Sequence, residues 1–326
     1  MKHISIIVPR GAILGSLEGS RQVFSQVNQF CAAQGMPPAF HVQLVGIDME
    51  TPVSGGRFTV HADVLFNHVT NTDLIIIPAI DGDLKEGIAN NRKFIPWIKG
   101  MYAGGAEVAS LCLGAFLLAA TGLLNGRKAA THWVAANEFR IMFPEVNLVD
   151  NKIVTEENGI YCSGGAFSYL NLLLHLVEKL AGRDMAILCA KVFAIEIDRK
   201  GQSPFMIFHG QKGHEDTEVR KAQDFIEQHY TEKITVDQLA DKFAVGRRSF
   251  ERRFKKATGN TVAEYINRVK IEAAKKELEA GRKNVNEVMY DMGYTDNKNF
   301  RTLFKKLTGL SPMAYRARYT RSALSA

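Results

Sequence analysis

The chain has 326 residues, with 41 lysines and arginines against 34 aspartates and glutamates, a formal net charge of +7. This length exceeds what one hydrophobic core usually serves and predicts two domains. From position 216 to the end there are 23 basic and 15 acidic residues, a net charge of +8, whereas positions 1–215 carry 18 basic and 19 acidic residues, a net charge of −1. This division argues against a polyanion-binding surface over the whole chain and predicts a basic second domain.

Several classes of protein are excluded by composition. No run reaches the roughly 18 apolar residues that a membrane span needs, and the apolar run at positions 1–9 is too short for a signal peptide and predicts a strand. The four cysteines (Cys31, Cys112, Cys162 and Cys189) are widely scattered, which is typical of free thiols in a reducing cytoplasm. The nine histidines show no metal-ligand spacing. We expect a cytoplasmic protein with no membrane partner, no metal and no cofactor.

The first two thirds of the chain alternate predicted strands and helices. Strands are predicted at 3–8, 41–47, 74–78 and 106–111, with edge strands at 58–60 and 152–155. Helices are predicted at 17–34, 85–101, 167–180 and 185–197. This alternation indicates an α/β domain with a mostly parallel sheet covered by helices.

The stretch at 109–116 carries the most informative pattern of this domain. A buried strand leads directly into a helix, with Cys112 at the turn and small residues after it, as in a nucleophile elbow. Because a helix N-terminus would lie beneath the side chain, the pattern predicts a thiol pKa below the usual value of about 8.5. The candidate partner of this thiol is His132.

From Cys112 to Trp133 the chain reads Cys-x-Gly-Ala-Phe-Leu-Leu-Ala-x-x-Gly-Leu-Leu-x-Gly-Arg-x-Ala-x-Thr-His-Trp. This stretch resembles the class I glutamine amidotransferase-like superfamily, in its PfpI-type branch, and above all the amidotransferase-like domain of AraC-type regulators. The resemblance extends over about residues 1–200 and implies a flavodoxin-like fold for a sensory and dimerisation domain.

The resemblance is incomplete at the positions that would orient the histidine. Val134 stands where amide-transferring enzymes place a glutamate, and Ser16 stands where the regulators place an aspartate, with Glu18 two residues away. A missing orienting acid typically costs orders of magnitude in rate, so we expect a degenerate dyad of Cys112 and His132 and no catalysis.

In the amidotransferases the catalytic crevice lies at the carboxyl ends of the parallel strands. By analogy with related regulators, we expect the corresponding crevice of this chain to hold a small-molecule effector. The candidate pocket residues are Ser16, Ala79, Ile80, Cys112, Leu113 and His132. Three alternatives remain open: a cysteine hydrolase or amidotransferase, a redox sensor at Cys112, and a buried cysteine that only fills a tight turn.

Residues 201–215 are predicted to be a linker, since the stretch at 198–216 contains three glycines, a proline and mixed charge. Positions 205–208 are apolar, and this predicts that part of the linker packs on the first domain.

A sequence repeat organises the last third of the chain. Phe250 to Tyr265 and Phe300 to Tyr315 share Phe-x-x-x-Phe, Lys-Lys, Thr-Gly, a hydroxyl residue and Tyr, exactly fifty positions apart. Each copy follows a short amphipathic helix with a capping-box start, Thr235 or Asn284, and a turn, at 244–246 or 293–295. This pattern predicts two helix-turn-helix units, joined by a long helix over 261–280 that begins with a further capping box, Thr261 with Glu264.

The helix of the first copy has a basic outer face. Its two phenylalanines are four residues apart and therefore face the core, so the residues between them face outwards. Arginines can donate two hydrogen bonds to guanine, and lysines at helix ends contact phosphates. The predicted DNA-binding residues of this helix are Arg247, Arg248, Glu251, Arg252, Lys255 and Lys256.

Residues 216–320 resemble the AraC/XylS-type DNA-binding domain. The signature from Gly293 to Arg316, Gly-Tyr-Thr-Asp-x-x-x-Phe-x-x-x-Phe-Lys-Lys-x-Thr-Gly-x-Ser-Pro-x-x-Tyr-Arg, carries this resemblance. The first unit departs from the family pattern, with Ala244 in place of a glycine and Gly246 in place of a Ser or Thr N-cap. The resemblance implies base-reading positions at Arg248, Glu251, Arg252, Asn297, Lys298 and Thr302, and the repeat places Lys305 and Lys306 beside phosphates.

The sequence therefore predicts a bacterial transcription regulator with a domain at 1–200, a linker at 201–215 and a DNA-binding domain at 216–326. The expected partners are a double-stranded DNA operator, a small-molecule effector and a second copy of the chain in a homodimer. RNA polymerase is a further candidate partner.

Overall fold

A seven-stranded sheet forms the centre of the first of two units, Met1–Gln202 and Ser203–Ala326, in a computed structural model that describes residues 1–197 and 201–320. The strands of this unit are β1 (Lys2–Val8), β2 (Phe40–Gly46), β3 (Glu50–Val53), β4 (Phe58–His61), β5 (Val64–Leu65), β6 (Leu74–Ile77), β7 (Glu107–Leu111), β8 (Lys128–Ala129), β9 (Asn147–Leu148), β10 (Val154–Glu157) and β11 (Ile160–Ser163). Its helices are α1 (Leu14–Ala33), α2 (Leu84–Asn90), α3 (Phe94–Ala103), α4 (Ala115–Ala120), α5 (Ala136–Met142), α6 (Tyr169–Ala181) and α7 (Arg183–Val192).

The strand order of the main sheet is β10-β11-β7-β6-β1-β2-β5. All neighbours in it pair in parallel except β10, which pairs antiparallel with β11. Apolar cores lie on both faces: α1, α6 and α7 supply one, and α3, α4 and α5 the other. The flavodoxin-like fold class is thereby confirmed. Because the carboxyl ends of β1, β6 and β7 meet at one edge, the segments that follow them are brought together there.

One expectation about the elements of this unit was wrong, and one buried strand was missed. The helix predicted at 85–101 is two helices, α2 and α3, because the buried side chain of Asn91 hydrogen-bonds to the backbone of Arg10 and cannot remain on a continuous apolar face. Strand β11 was not predicted, although it lies next to β7 and all four of its residues are buried.

The second unit is helical where the structure describes it, with α8 (Thr217–His229), α9 (Val236–Lys242), α10 (Arg247–Thr258), α11 (Val262–Ala280), α12 (Val285–Asp291), α13 (Asn297–Thr308) and α14 (Pro312–Tyr319). The pairs α9–α10 and α12–α13 are the two predicted helix-turn-helix units. Each has its own core, built around Phe250 and Phe254 or around Phe300 and Phe304. Helix α11 contributes side chains to both cores and joins them.

Local signals placed these helices correctly. The predicted capping boxes at the starts of α9, α11 and α12 are all present, with reciprocal side-chain and backbone hydrogen bonds. Gly259 and Gly309 end α10 and α13 in the left-handed conformation that favours glycine.

The segment predicted as a linker behaves differently from the expectation. Residues from Ser203 onwards belong to the second unit. The ring of Phe208 lies 5.2 Å from that of Tyr265, and Lys275 Nζ donates to the carbonyl of Met206 at 2.6 Å. Phe208 and Met206 of the apolar part therefore pack within the second unit. Positions 198–200 of the linker stretch and 321–326 of the predicted second domain lie outside the described residues.

Across the described parts of the chain, 1–197 and 201–320, no helix is long and apolar enough to cross a membrane.

Candidate ligand site and candidate nucleic-acid interface

Cys112 stands at the turn that the sequence predicted, directly after β7 and before α4. Its φ is +53°, a conformation that non-glycine residues rarely adopt. Gly114 is required in this turn, because a Cβ there would lie 2.4 Å from the carbonyl oxygen of Pro78. The backbone N–H of Cys112 donates to Ser163 Oγ at 3.3 Å. The strand-to-helix geometry of an elbow is therefore present.

The electrostatics of this turn oppose the expectation of a reactive thiol. Burial raises the pKa of Cys112 to about 11, and the hydrogen bond from the backbone of Leu113 offsets only part of that effect. Only 4% of the residue is exposed. The predicted lowering of this pKa was wrong, because the helix N-terminus acts on a thiol that has lost nearly all of its contact with water.

His132 does not complete a catalytic pair in this structure. Its Nδ1 accepts a hydrogen bond from the backbone N–H of Val134 at 3.1 Å, and burial lowers its pKa. No hydrogen bond links the His132 ring to Cys112 anywhere in the described structure. The loop is tied to the elbow instead through Thr131, whose Oγ1 donates to the carbonyl of Cys112 at 3.0 Å.

At position 16, where the related regulators place an aspartate, the serine hydroxyl is hydrogen-bonded to the backbone. Ser16 Oγ donates to the carbonyl of Ile13 at 2.8 Å and accepts from the backbone N–H of Ala79 at 3.0 Å. Glu18 is held by Arg21 through two hydrogen bonds of 2.6 and 2.7 Å, which hold the pKa of its carboxyl below its usual range. Glu18 is thus engaged by Arg21 and does not supply an orienting acid for His132.

The six pocket candidates come from four segments: the start of α1 and the stretches that follow β6, β7 and β8. Ser16, Ala79, Ile80 and Cys112 are buried, whereas Leu113 and His132 are half-buried. Ser163 and Gln202 also contact this region and were missed by sequence reasoning. For Ser163, the one available signal in the sequence was the glycine pair that follows it. Nothing in the sequence indicated Gln202.

The nucleic-acid interface is built on α10 and α13. Phe250, Phe254, Phe300 and Phe304 are buried in the two cores, so the opposite helix faces are exposed. Of the eleven predicted DNA-binding residues, ten are exposed and Asn297 is half-buried. The exposed ones are Arg247, Arg248, Glu251, Arg252, Lys255, Lys256, Lys298, Thr302, Lys305 and Lys306.

The first residue of each recognition helix is fixed to the preceding helix. Arg247 donates to both carboxylate oxygens of Asp237, at 2.9 and 3.0 Å, and Asn297 Nδ2 donates to Asn286 Oδ1 at 3.0 Å. The two contacts occupy equivalent places in the repeat. Within the part of the chain that the structure describes, Arg248 and Arg252 form no ion pair, so both guanidinium groups are available at the surface.

Arg253, on α10, is bonded to another helix and does not belong to the DNA-binding face. It donates two hydrogen bonds, of 2.6 and 2.8 Å, to Asp216, which also accepts from the backbone N–H of Val219 at the start of α8. The pKa of Asp216 is lowered, first by the Arg253 hydrogen bonds. Arg253 thus anchors α10 to α8.

Each helix-turn-helix unit has a surface cavity in the same place. One measures about 390 Å³ and includes Val236, Glu251 and Ala263. The other measures about 520 Å³ and includes their repeat equivalents Val285, Arg301 and Met313. Each cavity adjoins the start of the first helix and one face of the recognition helix, and the duplication therefore extends to the surface.

Two protein families match two separate stretches of the chain. Residues 239–318 match the helix-turn-helix domain family, and residues 27–179 match the DJ-1/PfpI family. The fold and the exposed recognition helices thus define a protein that combines a DJ-1/PfpI domain with a helix-turn-helix domain. This is the pairing of domains that the resemblance to AraC-type regulators with a PfpI-type domain implied.

Several regulators of Pseudomonas aeruginosa are similar to the chain. It is 25% identical to the HTH-type transcriptional regulator ArgR over 216 residues, which cover 66% of this chain and 65% of that regulator. It is 23% identical to the regulator CdhR over 255 residues, 76% of each chain. The regulator GbdR is also 23% identical, and the match covers 68% of this chain and 60% of GbdR. The match to ArgR and to GbdR thus spans less than two thirds of those proteins.

Solved structures support the fold of the first unit. An AraC family transcriptional regulator from Pseudomonas putida superposes with a TM-score of 0.51 at 16% identity, covering 59% of this chain and all of that one. A protein from Vibrio parahaemolyticus superposes with a TM-score of 0.53 at 23% identity, covering 59% and 98%.

Proposed function

We propose that this protein is a sequence-specific DNA-binding transcription regulator of the bacterial cytoplasm, with a sensory domain at 1–200 and a DNA-binding domain at 216–326. The observation that carries the proposal is the pair of helix-turn-helix units, each with a polar, cation-bearing recognition face free of the core. The names of ArgR, CdhR and GbdR support it, since each is a transcriptional regulator.

In the proposed mechanism, α10 and α13 enter successive major grooves on one face of the DNA, about 34 Å apart. Arg248, Glu251 and Arg252 read bases in one groove, and Asn297, Lys298 and Thr302 read bases in the next. Lysines at the ends of both helices contact phosphates. Asp237 and Asn286 act indirectly, because they hold the first residue of each reading helix.

For the first domain we propose effector binding without catalysis. The pKa of Cys112, raised to about 11, leaves almost no thiolate at neutral pH, and His132 makes no hydrogen bond to it in the described structure. The same pKa argues against a cysteine hydrolase and against a peroxide sensor, both of which need the thiolate. The effector would occupy the edge lined by Ser16, Ala79, Ile80, Cys112, Leu113 and His132. A homodimer and contact with RNA polymerase complete the proposal.

The proposal is tested by selecting fragments of the protein's own genome with purified full-length protein. We expect a small set of enriched fragments sharing one motif. On that motif, Arg252→Ala should cost about 1–3 kcal/mol and relax specificity at one base pair. Lys85→Ala, at an exposed position of the first unit, is the control and should bind like the wild type. The proposal would be overturned if no fragment is preferred, with or without candidate metabolites. If Arg252→Ala binds as well as the wild type, the assignment of the reading face is wrong.

A further inference from the structure

Residues 203–212, which we call the strap, contact elements that pack on the cores of both helix-turn-helix units. At its start the contacts are with α14, which packs on the core of the second helix-turn-helix unit. Tyr319 donates its hydroxyl hydrogen to the carbonyl of Pro204 at 3.2 Å, and the guanidinium of Arg318 lies 5.0 Å from the ring of Phe205. The first residues of the strap therefore belong to the neighbourhood of the Phe300 and Phe304 core.

The middle of the strap is held by an ion pair of α11. Lys275 is only 5% exposed; its Nζ donates to Glu272 at 2.7 Å and to the carbonyl of Met206 at 2.6 Å. The same carboxylate of Glu272 accepts from the backbone N–H of Phe208 at 3.1 Å. A buried charge pair needs further hydrogen bonds to offset its desolvation, and here the strap backbone supplies them.

The end of the strap contacts the first helix-turn-helix unit. Phe208 packs against Tyr265, and Gln211 Oε1 accepts from Asn260 Nδ2 at 3.1 Å. Lys212 Nζ donates to Asp224 and Glu227, each at 2.7 Å. Ten residues thus reach from the core of one helix-turn-helix unit to the core of the other along α11.

The residue before the strap is anchored near the cysteine turn of the first unit. Gln202 is 1% exposed, and its Nε2 donates to the carbonyls of Thr131 and Asp150 at 3.1 and 2.6 Å. Its Oε1 accepts from the backbone N–H of Trp133 at 3.3 Å. Thr131 and Trp133 flank His132, and Thr131 also donates to the carbonyl of Cys112. One peptide bond separates this anchor from Ser203.

We propose that the strap is a positioning element which sets the separation of the two recognition helices, and that Gln202 makes this separation responsive to the Cys112–His132 region. Two helices that read successive grooves bind well only at the right separation, so a segment bonded to both units affects which operator spacing is preferred. A ligand that displaces the 131–133 loop would move Gln202, and with it the start of the strap. This inference rests on the proposed DNA-binding function.

The positioning role is tested with Lys275→Met in the full-length protein, which keeps the length of the side chain but removes the donors to Met206 and Glu272. Binding is measured on the selected motif and on versions with one base pair inserted or deleted between the two contacted segments. On these altered spacings the loss of affinity should be about fivefold or more greater for the wild type than for the variant. A factor of about five is the lower end of typical coupling between sites. The control Lys276→Met removes the same charge from the exposed side of α11 and should behave like the wild type.

Tyr319→Phe provides a second variant if Lys275→Met fails to fold, since it removes only the hydroxyl that donates to Pro204. Its spacing preference should also be weaker than that of the wild type. Wild-type spacing preference in the folded variants would overturn the inference. Failure of the wild-type protein to select any DNA would instead overturn the proposed function.

The anchor is tested with a double-mutant cycle on DNA affinity. Cys112→Phe overfills the closed turn and should change affinity for the selected motif by several-fold in the wild-type background. In the Gln202→Leu background the same substitution should have a smaller effect, because the loop no longer holds the start of the strap. Equal effects in the two backgrounds, or no effect in either, would overturn the role of Gln202.

Discussion

At Cys112 two physical effects act on the same thiol in opposite directions. A helix N-terminus and a backbone N–H stabilise the thiolate, whereas removal from water destabilises it. The exposed fraction decides the balance: with 4% of the residue exposed, burial raises the pKa to about 11. The same turn in an open crevice would have the opposite chemistry. The elbow backbone is therefore not evidence of a reactive cysteine by itself.

The raised pKa predicts slow alkylation with a characteristic pH dependence. Relative to the reference pKa of 9.0, a value of about 11 reduces the thiolate fraction at neutral pH by about 100-fold. The rate of iodoacetamide labelling at Cys112, followed by peptide mass spectrometry, should rise about tenfold per pH unit up to about pH 11. The urea-unfolded protein is the control, and its labelling rate should level off near pH 9. A plateau at or below pH 7 in the folded protein would contradict this prediction.

For single residues, the sequence indicated where a side chain lies but not which groups surround it. The turn at Cys112 follows from a local pattern of a buried strand, a cysteine and small residues, and it was predicted correctly. The engagement of Glu18 by Arg21 and the contact of Gln202 with Thr131 depend on which rotamer and which distant segment are present. Gln202 lies 71 residues from Thr131, and no local pattern encodes such a contact.

At the scale of single elements, the two helix-turn-helix units form the same turn with different residues. The residue that leaves the first helix is Ala244 with a φ of +49° in one unit and Gly293 with a φ of +74° in the other. A Cβ is strained in this region, whereas glycine adopts it freely. The departure from the family pattern at Ala244 therefore has a structural cost.

This difference predicts opposite effects for two exchanges. Ala244→Gly should stabilise the second unit by about 0.5–1 kcal/mol, since relief of strain exceeds the entropic cost of glycine. Gly293→Ala should destabilise it by about 1–3 kcal/mol, because its Cβ would also lie 2.9 Å from the carbonyl oxygen of Thr231. Both changes are measured in the urea transition that belongs to the second unit.

The control for the first exchange is Ala273→Gly, in the interior of α11. It should destabilise the second unit by about 1 kcal/mol, the usual cost of glycine in a helix. If Ala244→Gly is as destabilising as Ala273→Gly, the left-handed conformation assigned to Ala244 is wrong.

Elements were predicted well where local chemistry defines their ends. Capping boxes at Thr235, Thr261 and Asn284 placed three helix starts to the residue. The helix at 85–101 was predicted as one element because its break depends on Asn91 and Arg10, which are 81 residues apart. Strand β11 was missed because its order beside β7 is a property of the sheet and not of its own four residues.

At the scale of the whole molecule, charge and duplication point to the same part of the chain. The net charge of +8 from position 216 onwards coincides with the unit that carries both recognition helices. Composition and the fifty-residue repeat both single out this part of the sequence. The strap was not predictable from them, because the stretch at 198–216 that contains it has the glycines and mixed charge of a free linker. Its bonds to α11 and α14 depend on the folded second unit.

If both units bind DNA together, equivalent lysines should contribute equally to the salt dependence of binding. Lys255 and Lys305 occupy the same place at the ends of α10 and α13, and both are exposed. On the selected motif, each Lys→Ala change should reduce the slope of log affinity against log salt by about 0.9, and the double variant by about 1.8. Hydroxyl-radical footprinting of the wild-type complex should show two protected segments about 10 base pairs apart on one face of the DNA. Lys85→Ala should leave slope and footprint unchanged. A single protected segment, together with an unchanged slope in Lys305→Ala, would show that only the first helix-turn-helix unit contacts DNA and would contradict the two-groove mechanism.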